Sequence, residues 1–352
     1  MSAVISDDFL FEVIVGIVLK GSGFTRVSRG AVQGRGGSHQ TDSYGDYYLD
    51  IPFVYKVHLL AEAKYYAPNN RLSIGAGRDV LARVTDIDQK YTSADYDLRD
   101  DPALSRRTIR GALFSASGFS GTTLRFCYAH GIYCVDFPVR LQNTTTAQLI
   151  GKIRELLDSV SSTDRFPSSL DAWKAGQEAF FKLVRKEDEL WKMPDDDKQH
   201  LRDLIEGFLL KDPDMTEARE LQRLNIVTLK PSSEPVVLER PVEFEDQFSK
   251  VTSDNSRSKK IVSSPDTIES AGTAHSDTEG NGFVEIVPFG FERSFRLYVS
   301  KERLASLTLL EEFELEGIYR IGGSRRVITL RIRNVKLEDQ PAYDRPSIEG
   351  NG

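Results

Sequence analysis

Cysteine is nearly missing from this 352-residue sequence, which has two, Cys127 and Cys134. Two thiols exclude a disulfide scaffold and any zinc site built on cysteines. Long hydrophobic runs are missing as well. The longest, Phe9 to Leu19, is interrupted by Glu12 and is shorter than the roughly 18 residues that cross a bilayer. The N-terminus carries no basic region ahead of an apolar core, so no signal peptide is expected. No Walker-type lysine motif occurs, and Gly75-Ala-Gly77 is too isolated a pair to form a nucleotide loop. No internal repeat is visible. A soluble, cytoplasmic chain without membrane contact is the expectation.

What is present is enough apolar material for packed cores: 39% of residues are hydrophobic and 28% charged. The net charge of −7 would argue against a general polyanion binder. The charge is unevenly spread, however. Residues 1–140 hold 16 Lys and Arg against 15 Asp and Glu, while the remainder hold 30 against 38. A local nucleic-acid surface in the first part is therefore compatible with the acidic total.

The periodicity predicts an amphipathic helix from Asp7 to Gly21, with Leu10, Val13, Ile14, Ile17 and Val18 on one face. Strands are predicted over 24–32, 42–51 and 56–66, the first two separated by the glycine-rich turn Gly34 to Ser38. The third carries a nearly continuous apolar run, the mark of a central strand. A helix from about Asp79, a strand from Ile109, a helix from Thr122 and a short strand from Ile132 follow. This alternation predicts an α/β layer with crossover helices in residues 1–140.

Residues 141–222 read as helical, with segments 147–160, 170–192 and 195–210; Pro194 before Asp195 to Asp197 is a helix start rather than a metal site. Residues 223–340 read as a small β-rich domain, with a good hairpin signal around Gly322-Gly323-Ser324. Within it, about 250–281 is polar and poor in large apolar groups and is expected to be disordered or a long exposed insertion.

The chemistry-bearing constellation is Gly34-Arg-Gly-Gly-Ser-His-Gln-Thr-Asp42, followed about one hairpin later by Leu60-Ala-Glu62-Ala-Lys64. Residues two apart on a strand share a face, so Glu62 and Lys64 project together. A carboxylate and an ammonium on an apolar strand would each be penalised if buried alone, so they need partners or a metal. Asp42 on the neighbouring strand supplies a second carboxylate. Two carboxylates and the Ala63 carbonyl make an oxygen-rich site suited to Mg²⁺, with Mn²⁺ as its substitute. Lys64 would steady the charge developing on a phosphorane. Asp46 and Asp50 share the face of Asp42 if the strand is regular, and compete with it for this role.

These residues, with Arg110-Gly-Ala-Leu-Phe-Ser-Ala-Ser-Gly-Phe119-Ser and Cys134-Val-Asp-Phe137, resemble the PD-(D/E)xK nuclease superfamily, in particular its Mrr-like restriction endonuclease branch. The likeness covers about residues 5–140. It implies a restriction-endonuclease-like mixed sheet flanked by helices and a Mg²⁺-dependent DNA endonuclease with Asp42, Glu62 and Lys64 as catalytic residues. Glu12 and Gln40 would be auxiliary groups. Host defence by cutting foreign or modified DNA comes from that resemblance; a homodimer is expected because one such site hydrolyses one strand at a time.

Competing readings are a junction-resolvase-type repair or recombination nuclease and a non-catalytic nucleic-acid binding module on the same fold. His39 and the cluster Arg106, Arg107 and Arg110 are candidate DNA contacts, although charge runs are usually solvated faces. The arginines around the C-terminal hairpin, Arg320 to Arg333, either touch nucleic acid or pair with the chain's own carboxylates. An unidentified protein partner for that domain is a further expectation.

Overall fold

Ser6 starts the first helix: its Oγ accepts the Phe9 amide at 3.2 Å, and Asp7 and Asp8 place negative charge at the positive end of the helix dipole. In the computed structural model this helix is α1 (Asp7–Gly21). The structure describes residues 6–47, 56–66, 70–92, 107–137, 140–141, 144–162, 195–211, 216–230, 232–241, 244, 246–248, 267–276, 281–289, 291–321 and 324–337.

Five strands form the first sheet: β1 (Thr25–Gln33), β2 (Ser38–Tyr47), β3 (Lys56–Lys64), β4 (Arg107–Ser115) and β5 (Ile132–Asp136), in the order β1-β2-β3-β4-β5. The first three are antiparallel and the last three parallel. Helix α2 (Ile74–Thr92) crosses from β3 to β4, and α3 (Gly121–Ala129) crosses from β4 to β5. β3 is central, as its apolar run implied. Leu60 and Leu113 face α2 and α3, while Leu59, Ala61 and Ala63 face α1. The Ser115-to-Ser120 motif is the turn from β4 to α3. Gly118 takes φ 81°, Ser115 Oγ bonds its carbonyl at 3.0 Å, and Ser120 caps α3 by accepting the Thr123 amide at 3.2 Å.

The amphipathic expectation for α1 is corrected. Every residue from Phe9 to Leu19 is buried, so no face of this stretch is open to solvent. After the short pair β6 (Arg140–Leu141) and β7 (Thr144–Thr145), the helices α4 (Thr146–Ser162), α5 (Asp195–Lys211) and α6 (Thr216–Leu221) cover the side away from the sheet. Leu149, Ile153, Leu201, Ile205, Leu209 and Leu221 join the α1 core there. At about 1.5–3 kcal/mol for each fully buried large aliphatic side chain, this layer is a major stabilising term. The predicted helix 170–192 lies outside the described residues.

The β-rich region is a closed seven-stranded barrel, a closure that local sequence patterns did not reveal. Its strands are β8 (Leu224–Lys230), β9 (Glu234–Glu239), β10 (Thr267–Ser276), β11 (Asn281–Pro288), β12 (Phe295–Ser300), β13 (Glu312–Ile321) and β14 (Ser324–Leu337), in the order β10-β11-β12-β9-β8-β13-β14. The predicted hairpin is the β13–β14 pair, and β14 closes the barrel on β10 in parallel. Helix α7 (Lys301–Thr308) adds Leu304 and Leu307 to the barrel core.

The expected disorder over 250–281 is therefore corrected for its second part, since 267–276 are β10. Its residues are small and polar enough to resemble a disordered stretch, yet Ile268, Ser270 and Ala274 turn inward. Gly272 is needed for close approach, because a Cβ there would lie 2.9 Å from Ile332 and 3.0 Å from Val335. Residues 249–266 lie outside the described part. Val237 and Tyr298 of the barrel wall belong to the α1 core, so sheet and barrel share one apolar interior.

Candidate active site

The β2–β3 register runs from Tyr47 opposite Val57 to Ser43 opposite Ala61. At the end of that ladder, the Asp42 side chain takes over: its Oδ2 accepts the Ala63 amide at 2.9 Å. Lys64 Nζ lies 3.9 Å from the same oxygen and 2.7 Å from Glu62 Oε1. The three residues thus meet where β2 parts from β3, at the carboxyl ends of the parallel strands, where α/β sheets commonly place ligands.

Of the competing aspartates, Asp46 is buried elsewhere. Its Oδ1 is 2.7 Å from His58 Nδ1 and its Oδ2 is 3.3 Å from Lys56 Nζ. Asp50 lies outside the described residues.

Electrostatically this is a crowded acid pair. Burial, followed by the charges of Glu12 and Glu62, pushes the Asp42 carboxyl up to about 7. Burial also raises Glu12, against the opposing pull of Arg29. Burial alone would lower Lys64, but Asp42 and Glu62 outweigh it and hold the amine above its ordinary value. Lys64 is therefore an ammonium, a source of positive charge rather than a base.

Arginines that the sequence reading did not single out surround the acids. Arg29 Nε donates to Glu12 Oε2 at 2.7 Å. β1 has register shifts between Thr25 and Ser28 and between Ser28 and Gly30, and Gln199 of α5 accepts the Arg29 amide at 2.6 Å. Arg83 of α2 donates to Glu62 Oε2, and to the Gln40 carbonyl at 3.0 Å.

Arg202 of α5 is 1% exposed and donates to the Asp42 carbonyl at 3.1 Å. Its buried charge lies in the fields of Glu206 and Glu12, and it fits because residue 16 has no side chain: a Cβ there would be 1.6 Å from Arg202 Nη2. Arg202 stands 160 residues from Asp42 in the sequence, and no local pattern marks it.

The remaining candidates are placed as follows. Glu12 is brought into the electrostatic field of the acids but is directly paired with Arg29. The Gln40 side chain is exposed on β2, and its backbone carbonyl holds Arg83. His39 Nε2 is 2.6 Å from Asp86 Oδ2, and Asp86 also accepts the Gly36 amide at 2.8 Å, tying the glycine turn to α2. This hydrogen bonding, His39 first, holds the Asp86 carboxyl below its usual range.

Arg110 is exposed opposite Leu59, three residues before the strand position of Glu62, and the backbone of Arg107 pairs with Lys56 at the far end of β3. Arg110 does not join the acids. Arg106 lies outside the described residues. In the barrel, Arg331 is held by Glu314 at 2.9 Å and Glu269 at 3.2 Å, and Arg333 by Glu312 at 2.7 Å. Of the two readings for these arginines, self-pairing applies to this pair.

Two carboxylate oxygens, the Ala63 carbonyl and water make a donor set suited to a hard divalent cation. A cation there would also offset the burial and the acid–acid repulsion that raise Asp42, so the residues fit such an ion. Among the described residues no group of three His, Cys, Asp or Glu side chains converges to hold one by itself.

No family model matches the chain, and no curated protein does. Among solved structures, the chain is weakly similar to a protein of unknown function, AF1548. That match has a TM-score of 0.30 and 12% identity, and covers 62% of this chain and 98% of that one. It is also weakly similar to the MspJI restriction endonuclease in complex with a 27-mer oligonucleotide. There the TM-score is 0.24 with 17% identity, over 48% of this chain and 31% of the endonuclease. Among the described residues no helix is long and apolar enough to cross a membrane.

Proposed function

We propose that the chain is a divalent-metal-dependent DNA endonuclease, of the restriction type in its cellular role. The observation that carries the reading is the meeting of Asp42, Glu62 and Lys64, with Lys64 Nζ 2.7 Å from one acid and 3.9 Å from the other. Asp42, Glu62 and the Ala63 carbonyl would hold Mg²⁺, or Mn²⁺ in its place. The bound ion would polarise a phosphodiester and acidify a water molecule.

The chain's own residues do the rest. Lys64, held protonated by its two acids, orients the attacking water and offsets charge growing on the phosphorus oxygens. The Ala63 amide fixes the Asp42 carboxylate, and Arg202 holds the backbone of the same residue from behind. Glu12, ion-paired with Arg29, still contributes negative charge that helps keep Asp42 ready to trade a proton for a cation.

The test is cleavage of supercoiled plasmid by the full chain with Mg²⁺. Asp42→Ala and Lys64→Ala are expected to abolish cutting while leaving folding and DNA binding intact. Unchanged cleavage by either variant overturns the assignment. Offering plain plasmid, methylated plasmid and a branched junction side by side separates a restriction role from a resolvase role. Cutting of both strands calls for two such sites, so a dimer on DNA is expected by light scattering.

A further inference from the structure

Glu62 carries a cation on each oxygen. Lys64 Nζ is 2.7 Å from Oε1, and Arg83 donates to Oε2. The Arg83 side chain is 27% exposed against 9% for Glu62, so the arginine keeps more surface open to solvent than the acid it pairs with. Arg83 is also held by the Gln40 carbonyl at 3.0 Å, which keeps its head at the fork between β2 and β3.

With Asp42 ionised, the four side chains at the fork balance: two acids, Asp42 and Glu62, against two cations, Lys64 and Arg83. A divalent ion seated on Glu62 and Asp42 adds two positive charges, whereas a phosphodiester brings one negative charge. Once the attacking water has released its proton to bulk solvent, the doubly negative phosphorane restores the balance. An ion that takes Glu62 Oε2 competes with Arg83 for that oxygen and turns the guanidinium toward whatever anion the ion brings. A planar guanidinium suits two phosphate oxygens better than it suits a single carboxylate oxygen.

Building on the nuclease reading above, we propose that Arg83 is the phosphate-binding side chain of this site, exchanging Glu62 for an oxygen of the scissile phosphate when a divalent ion binds. It is a substrate contact that sits on a crossover helix, outside the D…E-x-K constellation.

The experiment uses the full chain as wild type, Arg83→Ala, Arg83→Lys and Asp42→Ala. Ca²⁺ binding without DNA is read by calorimetry, binding of a short duplex in Ca²⁺ by anisotropy, and single-turnover cleavage in Mg²⁺. Arg83→Ala is expected to bind Ca²⁺ about threefold to tenfold more tightly, because its competitor for Glu62 is gone. It is expected to bind the duplex more weakly and to cut about 100-fold more slowly. Arg83→Lys keeps a charge on the same helix and is expected to bind Ca²⁺ as wild type does, yet to cut about tenfold more slowly for want of the paired donors.

Weaker Ca²⁺ binding by Arg83→Ala would make the arginine a mere support for Glu62 and overturn the proposal. So would cleavage by Arg83→Ala at the wild-type rate. Wild type failing to bind Ca²⁺, or Asp42→Ala binding it equally well, overturns the site reading itself, and the proposal falls with it.

Discussion

Asp42→Asn should make the protein more stable, and increasingly so as the pH rises. Burial and the neighbouring acids lift the Asp42 carboxyl from an ordinary 3.8 to about 7 in the folded chain. The folded state therefore binds this proton more tightly than the unfolded state does. The resulting stability is fully present below the unfolded value, falls as pH rises through the window from about 4 to about 7, and is gone above it.

At about 1.36 kcal/mol per pH unit, wild type should lose on the order of 2–3 kcal/mol from this one group between pH 5 and pH 8. Asparagine does not titrate. Its amide oxygen can still accept the Ala63 amide, so the local geometry survives. Urea midpoints of both proteins at pH 5, 6, 7 and 8, without added divalent cations, give the difference directly. A stability gap that stays constant over that range would refute the claim that Asp42 is held as a strained acid. A gap that widens with pH, in a variant that no longer cuts, identifies stability given up for function.

Other outcomes follow from the same structure. Ca²⁺ affinity should fall toward tenfold per unit below pH 7, because Asp42 must lose its proton to bind the ion; calorimetry at two pH values checks this. A fragment of residues 1–140 should be insoluble or lack a cooperative unfolding transition, since it leaves one side of α1 without α4, α5, α6 and β8; circular dichroism melting decides the matter. Gly16→Ala should destabilise the chain by about 1–3 kcal/mol by pushing Arg202 off the Asp42 carbonyl. The Gly16→Ala effect should shrink in an Arg202→Met background, and simple additivity in that double-mutant cycle would rule out the contact as its cause.

The α/β order of the first part and the convergence of Glu62 with Lys64 were legible because both depend on local periods: alternation along β3 and helix–strand spacing along the chain. The choice among Asp42, Asp46 and Asp50 was not fully legible. Period-two alternation puts all three on one face, and only the register with β3 sets Asp46 opposite His58 and leaves Asp42 at the fork.

Arg83 and Arg202 were illegible for a different reason. Each is an arginine in a helix whose local pattern is that of a surface residue, and each acquires its role from packing against a distant strand. Barrel closure was hidden similarly, because β10 pairs with β14 across more than fifty residues and its small polar side chains look like linker. α1 looked amphipathic since its covering helices come from a part of the chain that gave no hint of where it would pack.

That buried helix has a mechanical consequence. One end of its core meets the barrel wall and its middle carries Glu12, which feels the acids at the fork. Among the described residues, the sheet and the barrel meet directly through the core packed on this helix. On the proposed nuclease reading, anything gripped by the barrel would be held at a set offset from the acids at the fork, as on a ruler rather than a tether.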